Sequence, residues 1–306
     1  MEYGLQRQAG VTRAFLPISP DDFEAIAEAK EGLLECLGIE EKFELVVENF
    51  LELEDSLLHA GLVNMIRGGH PKSLESHQER ALFNRRLANL LTAAKTYAEQ
   101  VPDQVAAVRS ESRREIEEAC RREYRGELGY RAMAALRNYV QHRDFPIRLV
   151  TYGSRLVQRP SRRDVAFSVD PHIRPSDLRG DARFNPRVLR ELDELGEVVR
   201  LKPLIRGYME SLWRIHSVAR GVTSPRIAEW EPVLHAAIER YRVGCPKEGM
   251  TLGLAAVQRA DDGNPVRSVP VVEHFNDYRR FLEAKNGEMD GFAARYVTSE
   301  VSDKES

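Results

Sequence analysis

The first 145 residues carry hydrophobic side chains at helical spacing with few interruptions, and Phe145-Pro146 closes the run. Amphipathic helices hold together by burying their apolar stripes against one another, so this pattern predicts an antiparallel helical bundle. Ser19-Pro20-Asp21-Asp22 has the parts of a helix start: a hydroxyl N-cap, a proline at the first position and acids in the first turn. That helix is expected to run to about Leu37, with Gly38 as its stop. A second helix carries Phe43, Val46, Val47, Phe50, Leu51, Leu57, Leu58 and Leu62, and ends at Gly68-Gly69-His70-Pro71. A third covers roughly Leu74 to Gln100 and stops before Pro102, where Val101-Pro102-Asp103 turns the chain into a charged helix through Arg125. Gly126 and Gly129 loosen the backbone before the last helix. Residues 1–18 show little pattern and read as a leading arm.

After Pro146 the period changes. Residues 147–158 and 164–169 are rich in Val, Leu, Tyr, Phe and Thr and partly alternate, which predicts two strands joined by a turn at Arg159-Pro160-Ser161. Asn185-Pro186 opens a helix to about Leu195. A second helix carries Leu204, Ile205, Tyr208, Leu212, Ile215 and Ala219 on one face, and a third spans about 225–241 with Pro232 as an irregularity. Asp261-Asp262-Gly263-Asn264 lies between two strand patterns, a strong hairpin signal. A helix over 277–285 and a last strand near 293–297 follow. The predicted fold is mainly α: a helical bundle over 1–145, a smaller α+β domain over 146–298 and a polar tail over 299–306.

Composition narrows the function classes. The net charge of −3 provides no global basic field of the kind that gathers nucleic acid unaided. Thirteen acids between Pro20 and Asp55 face only Lys30 and Lys42, the composition of a solvated helix face. Cys36, Cys120 and Cys245 are odd in number and far apart, which suits a reducing compartment and offers no metal-ligand spacing. No apolar run approaches the ~18 residues of a membrane helix, and Met1-Glu2-Tyr3-Gly4 begins no signal peptide. The expectation is a cytoplasmic chain with no membrane, metal or cofactor. No H-E-x-x-H, G-x-S-x-G, Walker loop, dinucleotide fingerprint or C-x-x-C occurs. Among the histidines, His216 edges an apolar helical face and reads as a satisfied core or boundary residue; His59, His77 and His235 read as surface or packing residues.

What remains is Leu136-Arg137-Asn138-Tyr139-Val140-Gln141-His142, at the end of the last helix before Pro146. Asn138 and His142 are four apart and share a face, whereas Arg137 and His142 diverge by roughly 140° around the axis. One regular helix does not aim both at a single atom; two copies across a two-fold axis can. The plain alternative is an arginine paired with a glutamate and a histidine capping carbonyls.

This stretch resembles the R-[polar]-x-x-x-H motif of the HEPN superfamily of helical domains, in the version found in bacterial abortive-infection and toxin-type members. The upstream segment Phe83-Asn84-Arg85-Arg86-Leu87-Ala88-Asn89-Leu90-Leu91-Thr92, with Lys95-Thr96-Tyr97, is similar to the second core helix of such proteins. The resemblance covers roughly residues 40–145. It implies a bundle that dimerises with both motifs at the interface, and a metal-independent endoribonuclease that leaves a 2′,3′-cyclic phosphate. Arg137 would neutralise charge on the scissile phosphate, Asn138 would orient the phosphate or His142, and His142 would be the acid or base. RNA brings its own nucleophile, the 2′-hydroxyl, so proton transfer and anion stabilisation suffice. Arg143, Arg155, Arg159, Arg162 and Arg163 are the candidate RNA contacts. The partners implied are RNA, a second copy of the chain and an antitoxin or regulatory protein, in phage defence or as a regulated toxin. Members that pair with a nucleotidyltransferase carry a tyrosine two residues past the histidine. Asp144 stands there instead, so adenylylation is not expected. Many members are non-catalytic, and the alternative function is an inert helical interaction, regulatory or RNA-binding protein.

Overall fold

The computed structural model describes residues 1–8, 14–68, 73–158, 163–246 and 251–297. The fold is mainly α, with an α+β part. The helices are α1 (Pro20–Arg67), α2 (Ser73–Val108), α3 (Arg113–Gly126), α4 (Leu128–His142), α5 (Pro175–Leu178), α6 (Pro186–Glu194), α7 (Leu201–Gly244) and α8 (His274–Lys285). The strands are β1 (Glu2–Arg7), β2 (Phe15–Pro17), β3 (Leu149–Gln158), β4 (Arg163–Ile173), β5 (Val199–Arg200), β6 (Leu254–Arg259) and β7 (Pro265–Pro270). Among the described residues no helix is long and apolar enough to cross a membrane.

Several helices run through residues that the sequence reading took as stops. Helix α1 is continuous through Gly38, because glycine weakens a helix by only about 1 kcal/mol relative to alanine and burial on either side outweighs that. A Cβ at Gly38 would meet only the movable end of the Gln104 side chain, at 2.7 Å, and the helix continues past the glycine, which is therefore no C-cap. Pro102 sits inside α2 and Pro225 inside α7, where Pro232 is the irregularity within the helix that the sequence predicts. Each removes one ladder hydrogen bond, but Val101 and Val105, and likewise Trp230, Leu234 and Tyr241, are buried around them and hold the helices on course. Burial here overrides local propensity.

The chain divides into two compact units, and not at Pro146 as expected: each takes segments from both sides of that residue. The first unit comprises Met1–Leu45, Thr96–Glu118 and His216–Gly287. Its antiparallel sheet has the order β2-β1-β6-β7. The expected leading arm is therefore wrong: β1 pairs with β6 from Glu2↔Arg259 to Arg7↔Leu254, a partner some 250 residues away that no local pattern announces. Leu5, Phe23, Leu33, Trp230, Leu234, Tyr241, Leu254 and Leu282 belong to the core beneath it. Ser19 Oγ accepts from the Asp22 amide (3.0 Å) while Asp22 Oδ2 accepts from the Ser19 amide (3.3 Å), a reciprocal cap at the predicted helix start.

The second unit comprises Val46–Lys95, Ala119–Ile215 and Glu288–Ser306. Its three-stranded antiparallel sheet has the order β3-β4-β5. A Cβ at Gly129 of α4 would lie 2.5 Å from the Leu204 carbonyl oxygen, so this glycine is what lets α4 approach the backbone of α7. The strand expected near 293–297 is instead a 3₁₀ turn at Phe292–Ala294. Phe292 stacks edge-on to Phe50 (5.4 Å) and the Ala293 amide donates to Glu210 (3.1 Å), contacts that hold the segment without a sheet. The predicted loop around Gly69-His70-Pro71, the turn at Arg159-Pro160-Ser161 and the polar tail lie outside the described residues.

Candidate functional site

The Arg137–His142 segment is the end of α4, in the second unit. Met133, Leu136 and Tyr139 are buried and anchor one face, which leaves Asn138 and His142 exposed and Arg137 half-buried. The helix ends as the amides of Arg143 (2.8 Å) and Asp144 (3.3 Å) both donate to the Tyr139 carbonyl. Asp144 then accepts from the Phe145 amide (2.7 Å) and pairs with Arg148. The Phe145 amide, followed by the cations Arg148 and Arg143, holds the Asp144 carboxyl below its ordinary value against a small burial penalty.

Beyond the turn, the chain is clamped by Asn84. The buried Asn84 amide donates to the Ile147 carbonyl (3.0 Å) and its oxygen accepts from the Ile147 amide (3.0 Å), imitating one rung of a strand ladder. The sequence places Asn84 in the upstream helical segment; the structure gives it the work of fixing where the chain goes after the motif. Both Ile147 backbone groups would otherwise be orphaned in the interior.

Within the motif, Arg137 Nη1 donates to Asn138 Oδ1 over a long 3.4 Å, and neither side chain bonds the His142 ring among the described residues. One copy therefore joins the arginine to the amide and leaves the imidazole bonded to neither. The helical angles account for the Arg137–His142 divergence, whereas Asn138, on the His142 face, turns its oxygen to Arg137. A residue the sequence reading missed stands at the histidine instead. Arg183, on the loop between α5 and α6, donates from Nη2 to the His142 carbonyl oxygen (3.3 Å) and from Nε to Asp181 (3.4 Å). Asp181 also accepts the Arg183 amide (3.0 Å), which tightens that loop. The neighbouring Phe184 packs edge-on against Tyr139, centroids 6.3 Å apart, tying the loop to α4. The only hint in the sequence is the Asp-x-Arg-Phe-Asn-Pro run, a turn leading into the Asn185 N-cap; nothing in it points 41 residues back to His142.

Among the described candidate RNA-contacting arginines, Arg155 and Arg163 do not share a face. Arg143 is exposed beside the motif. On the β3–β4 hairpin Arg155 faces Ala166 and Gln158 faces Arg163, and strand alternation puts Arg155 and Arg163 on opposite faces of the sheet. The expected cluster is corrected to that extent; Arg159 and Arg162 lie outside the described residues.

In the first unit the structure assembles a second polar group, and this one is sealed. His216 is fully buried between Phe43, stacked on it at 4.0 Å, and two hydrogen-bond partners. Its Nε2 lies 3.3 Å from Glu40 Oε2 and its Nδ1 lies 2.9 Å from the Tyr97 hydroxyl. Arg220 holds Glu40 with two hydrogen bonds, at 2.8 and 2.6 Å, and donates to the Asn286 carbonyl at 2.9 Å. Burial pushes the Glu40 carboxyl up, but the bonds from Arg220 and His216 prevail and hold it at about 2. Burial lowers the His216 value despite Glu40, so the ring is neutral, giving Nε2–H to Glu40 and accepting the Tyr97 hydroxyl proton at Nδ1. Both ring nitrogens are occupied, in keeping with a satisfied core histidine.

Among the described residues no group of three or more His, Cys, Asp or Glu is placed to hold a metal ion. No protein-family model, curated protein or solved structure matches the chain.

Proposed function

We propose that this protein is a metal-independent endoribonuclease of the HEPN type, cytoplasmic, with its active site formed across a homodimer and serving phage defence or a regulated toxin. The observation that supports it is the solvent-facing end of α4, whose last turns expose Asn138 and His142, with Arg137 half-buried among them and Arg143 exposed just after. In the reaction His142 removes the proton of a ribose 2′-hydroxyl, and O2′ attacks the adjacent phosphorus. The P–O2′ bond forms and the P–O5′ bond breaks. The departing 5′-oxygen takes a proton from the partner copy's imidazolium, leaving a 2′,3′-cyclic phosphate and a 5′-hydroxyl. Arg137 opposes the charge that builds on the non-bridging oxygens, and Asn138 orients the phosphate.

The test is cleavage of an end-labelled single-stranded RNA by purified wild type and His142→Ala, with and without EDTA. Cleavage that persists in EDTA and disappears in the variant is the expected result. Equal rates for the two proteins would remove the proposal, and RNA binding without cleavage by wild type would favour the inert RNA-binding reading.

A further inference from the structure

We infer that Arg183 is a phosphate-binding residue of this same site, supplied in cis; the inference rests on the nuclease reading above. The difficulty for a single helix is that Arg137 points roughly 140° away from His142. Arg183 removes it within one chain. Its Nη2 lies 3.3 Å from the carbonyl oxygen of His142, which puts a second guanidinium at the end of α4 beside the imidazole-bearing residue. The side chain is 64% exposed. Of its five N–H groups, two are engaged in the long contacts to His142 and Asp181. The remaining three can address an anion arriving from solvent.

A capping role alone would need only a cation for the negative end of the helix dipole. The surroundings favour more than that. The Asp181 turn and the Phe184–Tyr139 contact hold the Arg183 backbone against α4. Asp144, two residues past the histidine, is engaged by Arg148 and the Phe145 amide. A phosphodiester approaching His142 therefore meets Arg143 and Arg183, with Asp144 taken up by Arg148. Asp181, held by the Arg183 amide and over a long 3.4 Å by its Nε, is the carboxylate the anion must compete with. A planar guanidinium that can give two parallel hydrogen bonds suits that anion better than an ammonium.

The experiment measures kcat and KM for cleavage of a single-stranded RNA oligonucleotide by wild type, Arg183→Ala, Arg183→Lys, His142→Ala and the control Arg179→Ala, over a range of salt. Arg179 pairs with Asp193 and is no part of the site. Arg183→Ala is expected to lower kcat/KM by about 10- to 100-fold, the worth of one hydrogen-bonded charge contact, with Arg183→Lys between it and wild type. Its log KM should depend less steeply on log salt, by about 0.7 for one lost phosphate contact on a single strand. A purely structural cap would not change that slope. If Arg183→Ala keeps wild-type kinetics while His142→Ala is inactive, Arg183 is only a cap and this inference falls while the nuclease stands. If wild type does not cleave, or His142→Ala cleaves equally, the nuclease reading falls and takes this inference with it. A kcat/KM loss matched by a lower melting temperature, with the salt slope unchanged, also overturns it.

Discussion

Two histidines of this chain sit in opposite environments. His216 has Tyr97 on one nitrogen, Glu40 on the other and Phe43 across its face, with no exposed surface. His142 stands on the last turn of α4 in solvent, and its ring bonds neither Arg137 nor Asn138. A buried polar group must be fully partnered or it costs the fold 1–3 kcal/mol or more. A group meant to move protons must keep a nitrogen open to its substrate. Having partners therefore marks the first histidine as architecture; the second, whose ring has no hydrogen bond among the described residues, is the one the proposed reaction uses.

The strongest attempt to break this contrast compares two alanine variants. His142→Ala should reduce RNA cleavage by about 10²- to 10⁴-fold, the usual worth of an acid–base group, and leave the melting temperature unchanged. His216→Ala should do the reverse, lowering the melting temperature while folded molecules keep their activity. If His216→Ala abolished cleavage in folded protein, the division of roles would be wrong.

Next in size is Glu40→Ala, which leaves Arg220 and His216 facing each other without their carboxylate. It should cost about 3–5 kcal/mol, as for other broken buried ion pairs, read by denaturant unfolding. A loss below about 1 kcal/mol, the range of an exposed pair, would show the network to be dispensable.

The same network sets the direction of the pH response. Glu40 is held at about 2 in the fold against an ordinary 4.5, so its contribution is complete above pH 4.5 and drains away as pH falls toward 2. His216 is lowered from 6.5, so the unfolded chain takes up its proton first and stability declines as pH drops below 6.5. Both act in the same sense, and Glu40→Gln should flatten the acid limb of a stability–pH curve. An acid limb identical to wild type would contradict the assignment.

The smallest effect sharpens the His142 side of the comparison. Asn84→Leu leaves the Ile147 amide and carbonyl unpaired and should destabilise by about 1–3 kcal/mol. Hydrogen exchange at Ile147 should rise with it; unchanged protection there would mean the clamp is not what orders the segment after the motif.

How much of this was legible depended on distance along the chain. The Ser19–Asp22 cap, the Asn185 N-cap, the Asp261–Asn264 hairpin and the stop before Pro146 were readable because each is decided by residues a few positions apart. The motif was readable for the same reason, as six consecutive residues on one helix. Gly38, Pro102 and Pro225 were misread because their local cost is small against the burial of their neighbours. Strand β1 was missed because a six-residue pattern means little until β2 and β6 stand on either side of it. Arg155 and Arg163 looked like a cluster because sequence proximity says nothing of which side of a pleat a residue occupies.

The amino-acid sequence by itself determined the helical character of the chain, its caps and turns, and the Arg137–Asn138–His142 constellation, all of them consequences of short-range sterics and spacing. Tertiary structure alone decided that Tyr97, His216, Glu40 and Arg220 close into one sealed network, that Asn84 clamps Ile147, and that Arg183 stands at His142. Those pairings join residues 41 to 180 positions apart. Desolvation and hydrogen-bond geometry select such partners only once packing has brought them within reach.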